Sequence, residues 1–172
     1  ANGSLSSQQS GEGDIRRAIV DAGLVEGIVA MPDKLFYSTG IPVSLWIISK
    51  EPGRERRTLF VDAREMGTMV SRKLREFTDE DIAKIASAFD AFRKGELEDE
   101  KGFCAAAGIE EIAKQDYILT PGRYVGIKED EDDGEPFEEK MTRLTKELSE
   151  MFRQSHELEA QIRERLRGIG YE

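Results

Sequence analysis

The stretch Met31-Pro32-Asp33-Lys34-Leu35-Phe36-Tyr37-Ser38-Thr39-Gly40-Ile41-Pro42-Val43 has the composition of a binding loop. Two adjacent aromatics, Phe36 and Tyr37, precede Ser38 and Thr39, and apolar runs flank the whole. Loops at strand ends are where α/β sheets place their binding groups. A plainer reading stands beside this one: Phe36 plugs the core and Ser38-Thr39-Gly40 is only a turn. The residues alone leave both open. Elsewhere reactive groups are scarce. The chain has one cysteine, Cys104, and one histidine, His156. A zinc site of the common Cys/His types is therefore excluded, and so is a disulfide within the chain. Cys104, in Phe103-Cys104-Ala105-Ala106-Ala107, reads as a buried structural thiol. A Ser-His-Asp triad would have to use His156, which reads as a solvated helix residue. Gly11-Glu12-Gly13 lacks the preceding strand and third glycine of a phosphate-binding loop. The acidic residues are many, but no spacing singles out an acid/base pair.

The elements that must position the loop are legible from pattern. Residues 1–13 read as a loop. Asp14 to Val20 reads as a short helix with Ile15, Ala18 and Ile19 on its apolar side, ended by Ala22-Gly23. Leu24 to Met31 is a strand stopped by Pro32. Val43 to Lys50 is a second strand, Glu51-Pro52-Gly53-Arg54 a turn, and Thr58 to Asp62 a third strand. These suggest the edge of a larger α/β sheet, since three strands and one short helix cannot cover both sheet faces. Residues 63–77 carry no clear pattern. Thr78-Asp79-Glu80-Asp81 is a capping box opening a helix to about Lys94, with apolar Ile82, Ile85, Ala86, Phe89 and Phe92, and Gly95 ends it. Ile109 to Lys114 is a helical turn, Tyr117-Ile118-Leu119 is extended, and Thr120-Pro121-Gly122 is a turn leading into Arg123, Tyr124 and Val125. Arg123 and Tyr124 have two readings: an anchor of the tail on the sheet with Arg123 paired to an acid, or a contact to DNA phosphate.

The five acids Glu129 to Asp133 read as a solvated linker. From Phe137 onward apolar residues recur in steps of four and three: Met141, Leu144, Leu148, Met151, then Leu158 and Ile162, with Phe152 alongside and Ser155 at a seam position. That is a heptad seam. A helix over residues 135–167 would be roughly 50 Å long at about 1.5 Å per residue, so part of the seam must meet another helix, in this chain, in a second copy or in a partner. The fold class is thus α/β of an α+β kind, with segments 1–62 (sheet), 63–128 (mixed connector) and 129–172 (acidic linker and long helix). No run approaches the roughly 20 apolar residues that cross a bilayer, no signal-peptide pattern is present, and a cytoplasmic location with no membrane partner is expected. The net charge of −10 argues against a free nucleic-acid-binding module, which carries a basic face, but leaves room for a DNA-facing edge within a larger assembly.

Ile28-Val29-Ala30-Met31-Pro32, Leu35-Phe36-Tyr37-Ser38-Thr39-Gly40-Ile41-Pro42 and Leu45-Trp46-Ile47-Ile48-Ser49-Lys50 together resemble the modification subunit of type I restriction-modification systems. These subunits are adenine-N6 DNA methyltransferases that use S-adenosylmethionine. Asp116-Tyr117-Ile118-Leu119-Thr120-Pro121-Gly122-Arg123-Tyr124-Val125 continues the resemblance, which spans essentially the whole chain. Ala1-Asn2-Gly3-Ser4-Leu5 looks like the family's strand ending in Asn-Gly-x-Leu, which leaves two readings of these residues open, native sequence or an added remnant. The family's Gly-rich cofactor loop and Asn-Pro-Pro-aromatic catalytic motif do not occur here. The resemblance therefore implies a C-terminal portion of such a subunit: edge strands of a methyltransferase-type sheet and a helical tail, without catalytic or cofactor-binding residues of its own and inactive alone. It further implies that Phe36, with Tyr37, Ser38 and Thr39, shapes the pocket for an extruded target base. The implied partners are the specificity subunit, reached through the seam helix, a second modification subunit, and DNA through the full complex. The isolated chain could also form a homodimer. The alternative is a non-catalytic helical assembly module on a small α/β stub.

Overall fold

A computed structural model describes residues 2–50, 56–128 and 136–171. The Glu51–Arg54 turn and the acidic run Glu129–Asp133 lie outside the described residues. The chain divides into two compact units, Ala1–Glu129 and Asp130–Glu172.

The first unit is built on a four-stranded sheet of order β2-β1-β3-β6. Its strands are β1 (Val25–Ala30), β2 (Ser44–Ile48), β3 (Arg57–Asp62) and β6 (Cys104–Gly108). β1 runs parallel to β3 and antiparallel to β2, and β6 closes antiparallel on β3. Period-two alternation sorts the side chains onto two faces. On one face Val25, Ile28, Phe60, Ala105 and Ala107 meet Val20 of α1 (Glu12–Asp21), Ile112 of α3 (Ile109–Lys114), and Leu5, Leu119 and Val125 from irregular segments. On the other, Val29, Leu59, Val61 and Cys104 meet Ala88 of α2 (Asp79–Lys94), with Ile85, Phe89 and Phe92 packed alongside. Both faces thus carry apolar layers, with a fourth strand that the sequence pattern did not indicate. Among the described residues of the sheet, cover is open at β2, where Leu45 and Ile48 are exposed. There an apolar cavity of about 270 Å³ opens between Leu45 and Ile47 of β2 and Ile82, Ala86 and Phe89 of α2. Because β6 pairs with β3, the sheet runs across the division expected at residues 62–63.

The capping box forms as expected: Asp81 N–H donates to Thr78 Oγ1 (3.2 Å) and Thr78 N–H to Asp81 Oδ2 (3.0 Å). Gly95 ends α2 in the left-handed conformation, φ +76°. Four local expectations need correction. α1 starts at Glu12 rather than Asp14, and short 3₁₀ turns at Asn2–Leu5 and Gln9–Gly11 replace the expected loop. Residues 2–5 therefore form a turn, not a strand end. The inward face of α1 carries Arg16 and Val20, while Ile15 and Ala18 are exposed. Arg16 wins that place through hydrogen bonds. Its Nε donates to the Tyr117 carbonyl (2.6 Å) and its Nη1 to the carbonyls of Ser7 (2.8 Å) and Ser4 (3.2 Å). It thereby supplies donors to three carbonyls, on two segments outside the strands. On α2, Ala88 turns inward while Ile82 and Ala86 border the open cavity. Finally, Tyr117 is not extended: Asp116 and Tyr117 both adopt left-handed φ, +53° and +54°. Tyr117 N–H returning to the Ile112 carbonyl (3.1 Å) and the Arg16 bond hold them there.

Residues 63–77 resolve into a hairpin, β4 (Thr68–Ser71) and β5 (Leu74–Glu76), joined by Arg72 and Lys73. The second unit contains one helix, α4 (Phe137–Gly168), of 32 residues. No described residue of α4 is buried. None of the helices among the described residues is long and apolar enough to cross a membrane.

Candidate functional site

Parallel strands end on the same side of a sheet, so β1 and β3 deliver their carboxyl ends together. Ala63 N–H donates to the Ala30 carbonyl (2.9 Å), which locks the two exits side by side. The chain leaves β1 through Pro32, which is fully buried, and re-enters through Met31 N–H donating to Val43 O (2.9 Å). Between them Phe36 and Thr39 form an isolated bridge, Thr39 N–H donating to the Phe36 carbonyl (3.3 Å). Thr39 Oγ1 accepts from Ile41 N–H (3.2 Å). The turn is therefore ordered by its own backbone, and its aromatics are left outside. Phe36 is 49% exposed and Tyr37 is 91% exposed. Phe36 is thus no core plug. It stands half exposed where the chain leaves β1, at the carboxyl edge of the sheet.

Asp62, at the end of β3, is held by Arg64: Nε donates to Oδ1 (2.8 Å) and Nη2 to Oδ2 (2.6 Å). That hydrogen bonding raises the Arg64 pKa above its ordinary value. Gly122 lies against this pair, since a Cβ there would come 3.1 Å from Arg64 Nη2 and 3.5 Å from Asp62 Oδ2. The Pro121–Arg123 3₁₀ turn is thereby seated at the strand ends.

Tyr124 belongs to the packing. Its ring stacks on Phe60 with centroids 3.8 Å apart and planes 8° from parallel, and its hydroxyl donates to the Ile118 carbonyl (2.6 Å). Burial pushes its pKa up to about 12. Arg123 is exposed and meets an amide rather than an acid: Nη1 donates to Gln115 Oε1 (2.9 Å). Cys104 is buried, and desolvation raises its pKa. The turn Phe36–Thr39, the Asp62–Arg64 pair and the Pro121–Arg123 turn all belong to the first unit. The seam residues Met141, Leu144, Leu148, Met151, Phe152, Leu158 and Ile162 belong to α4 and are all exposed, as is His156.

The pattern in the sequence missed Arg75 of β5, which ties the loop to the hairpin. Arg75 N–H donates to the Lys34 carbonyl (2.8 Å), its Nη1 to the carbonyls of Met66 (3.0 Å) and Gly67 (3.2 Å), and its guanidinium lies 3.6 Å from Asp33 Oδ1. Gly67, φ +79°, was the available signal. A Cβ there would come 2.8 Å from the Glu76 carbonyl, so only glycine lets the hairpin close.

The cavity beside β2 is lined wholly by apolar side chains, and the carboxylate of Asp62 is already bound by Arg64. Among the described residues no group of three His, Cys, Asp or Glu side chains could hold a metal ion.

The family described as N-6 DNA Methylase matches residues 1–133. The methylase subunit of the type I restriction enzyme HindI from Haemophilus influenzae is 51% identical over 173 residues, covering 100% of this chain and 39% of that protein. The methylase subunit of MjaIX from Methanocaldococcus jannaschii is 46% identical, covering 99% of this chain and 31% of that protein. The chain thus spans well under half the length of these relatives. Among solved structures, the type I restriction-modification methyltransferase subunit from Streptococcus thermophilus superposes with a TM-score of 0.64 at 31% identity. It covers 72% of this chain and 25% of the other.

Proposed function

Since this chain belongs to the N-6 DNA methylase family, among the methylase subunits of type I restriction enzymes, we propose that it is the C-terminal portion of such a subunit. In the whole subunit the reaction is transfer of a methyl group from S-adenosylmethionine to the N6 amino group of an adenine in DNA. The residues for that chemistry come from sequence other than these 172, and the chain alone is inactive. Its own contribution is a sheet edge bearing a base-pocket wall, and a helix for assembly. The working complex joins this subunit to a specificity subunit and a second modification subunit, acts on DNA, and operates in the cytoplasm.

The observation that carries the proposal is the exposed aromatic turn Phe36–Thr39 at the carboxyl ends of β1 and β3. A base turned out of the duplex needs an apolar or aromatic wall, and Phe36 offers one without being required by the core. Tyr37, Ser38 and Thr39 frame it. The uncovered apolar groove at β2 supports the reading that further chain packs there. The test is Phe36→Ala in the full-length subunit, assembled with its partners. Base–aromatic stacking contributes about 1–3 kcal/mol, so kcat/KM for methylation should fall roughly 5- to 150-fold with thermal unfolding unchanged. Unaltered turnover by a folded variant overturns the assignment.

A further inference from the structure

The β4–β5 hairpin is a basic, exposed arm on an acidic chain. The chain carries 35 Asp and Glu in 172 residues, about one in five. Residues 66–75 contain none, yet include Arg72, Lys73 and Arg75. Arg72 and Lys73 form the turn and are exposed, and among the described residues neither makes an ion pair. Met69 and Val70 beside them are exposed too. The one carboxylate on the arm, Glu76, pairs with Thr68 at the end away from the turn.

The arm is fastened to the candidate loop. Arg75 joins its stem to Lys34 and Asp33, two and three residues before Phe36. At about 3.4 Å per strand residue, Arg72 lies within roughly 10 Å along the chain from that junction. The Phe36 turn and the basic tip are therefore carried on one connected piece. The loop it is fastened to carries no acid either: residues 34–50 contain no Asp or Glu. Charge of this sign and placement beside a base-accepting loop fits the phosphate backbone of DNA.

We propose that the β4–β5 hairpin is a DNA-backbone contact of the methylase subunit, with Arg72 and Lys73 touching phosphates and Arg75 positioning the arm against the Phe36 loop. This rests on the function proposed above. The test uses the full-length subunit in complex with the specificity subunit and a labelled DNA duplex of arbitrary sequence. Affinity is measured across a salt series for wild type, Arg72→Gln/Lys73→Gln, and the charge-keeping Arg72→Lys/Lys73→Arg. Each lost phosphate contact removes about 0.9 from the slope of log K against log salt. The Gln variant should therefore lose nearly 2 from the slope and bind at least 10-fold more weakly at low salt, while the charge-keeping variant retains both. An unchanged slope overturns the proposal. So does loss of the specificity subunit from the Gln variant with the slope retained, which would make the arm a protein contact. Either result leaves the functional reading standing if Phe36→Ala still impairs methylation. If wild-type complex neither binds nor methylates DNA, it is that reading which fails.

Discussion

Two aromatic residues, each flagged by a family-like motif, end in opposite places. Phe36 stands half in solvent, while Tyr124 stacks on Phe60 and gives its hydroxyl proton to the Ile118 carbonyl. Sequence could not separate them, because both sit in short turns next to Pro or Gly, and exposure depends on which segments return to the sheet. Burial sets the consequence for Tyr124. A phenolate there would lose hydration and face a carbonyl, so the folded pKa rises from about 10 to about 12. A raised pKa means the folded state holds the proton more tightly. The associated stability is whole below pH 10 and is lost as pH climbs toward 12. Denaturant midpoints measured from pH 9 to 12 should fall across that window in wild type, and fall less in Tyr124→Phe. At neutral pH Tyr124→Phe should cost only about 1 kcal/mol, the value of one hydrogen bond. A steep alkaline loss that persists unchanged in Tyr124→Phe would place the titrating group elsewhere. Arg16 was illegible for a related reason. A charged residue in an amphipathic pattern reads as solvated, and only the fold brings three carbonyls within its reach.

Elements specified by local chemistry were the legible ones. β1, β2 and β3 are β-branched runs bounded by Gly or Pro, and α2 announces itself through Thr78 and Asp81. That cap gives a direct prediction: Thr78→Ala removes the acceptor for Asp81 N–H and should destabilise the chain by about 1 kcal/mol, with Thr78→Ser near wild type. Equal losses in both variants, by urea unfolding, would show that packing of the threonine methyl, not the cap, is responsible. β6 was hidden because Cys104-Ala105-Ala106-Ala107 has little strand propensity of its own. It is a strand because β3 offers its free edge, and because small side chains let Tyr117, Tyr124 and α3 approach that face. The β4–β5 hairpin was hidden by its turn. Arg72-Lys73 lacks the Asn-Gly or Asp-Gly signature of a two-residue hairpin, and its order comes instead from Arg75 and Gly67. The part of the candidate site that sequence missed is the part held by these long-range bonds.

On the scale of the whole molecule, the two units differ in what stabilises them. The first has apolar layers on both sheet faces; the second is a helix with no buried residue. Along α4 the ion pairs Arg143–Glu147, Arg153–Glu150, Arg153–Glu157 and Arg163–Glu159 are all exposed, and such pairs add little. Its seam is therefore the main energy source it has not yet used. Burying a Leu or Met fully contributes about 1.5–3 kcal/mol, so even a few seam residues seated against another helix outweigh every surface pair on α4. Methionines at two seam positions suit a surface that must adapt to its occupant. If that occupant is the specificity subunit, ending the full-length subunit after Gly134 should abolish co-purification with it, and Leu148→Asp should weaken association at least 10-fold while the first unit keeps its unfolding transition. If the seam instead pairs two copies of this chain, the same truncation should turn a sedimenting dimer into a monomer and leave the complex with the specificity subunit intact. That second outcome would remove α4 from the subunit interface and leave its seam with the task of self-association.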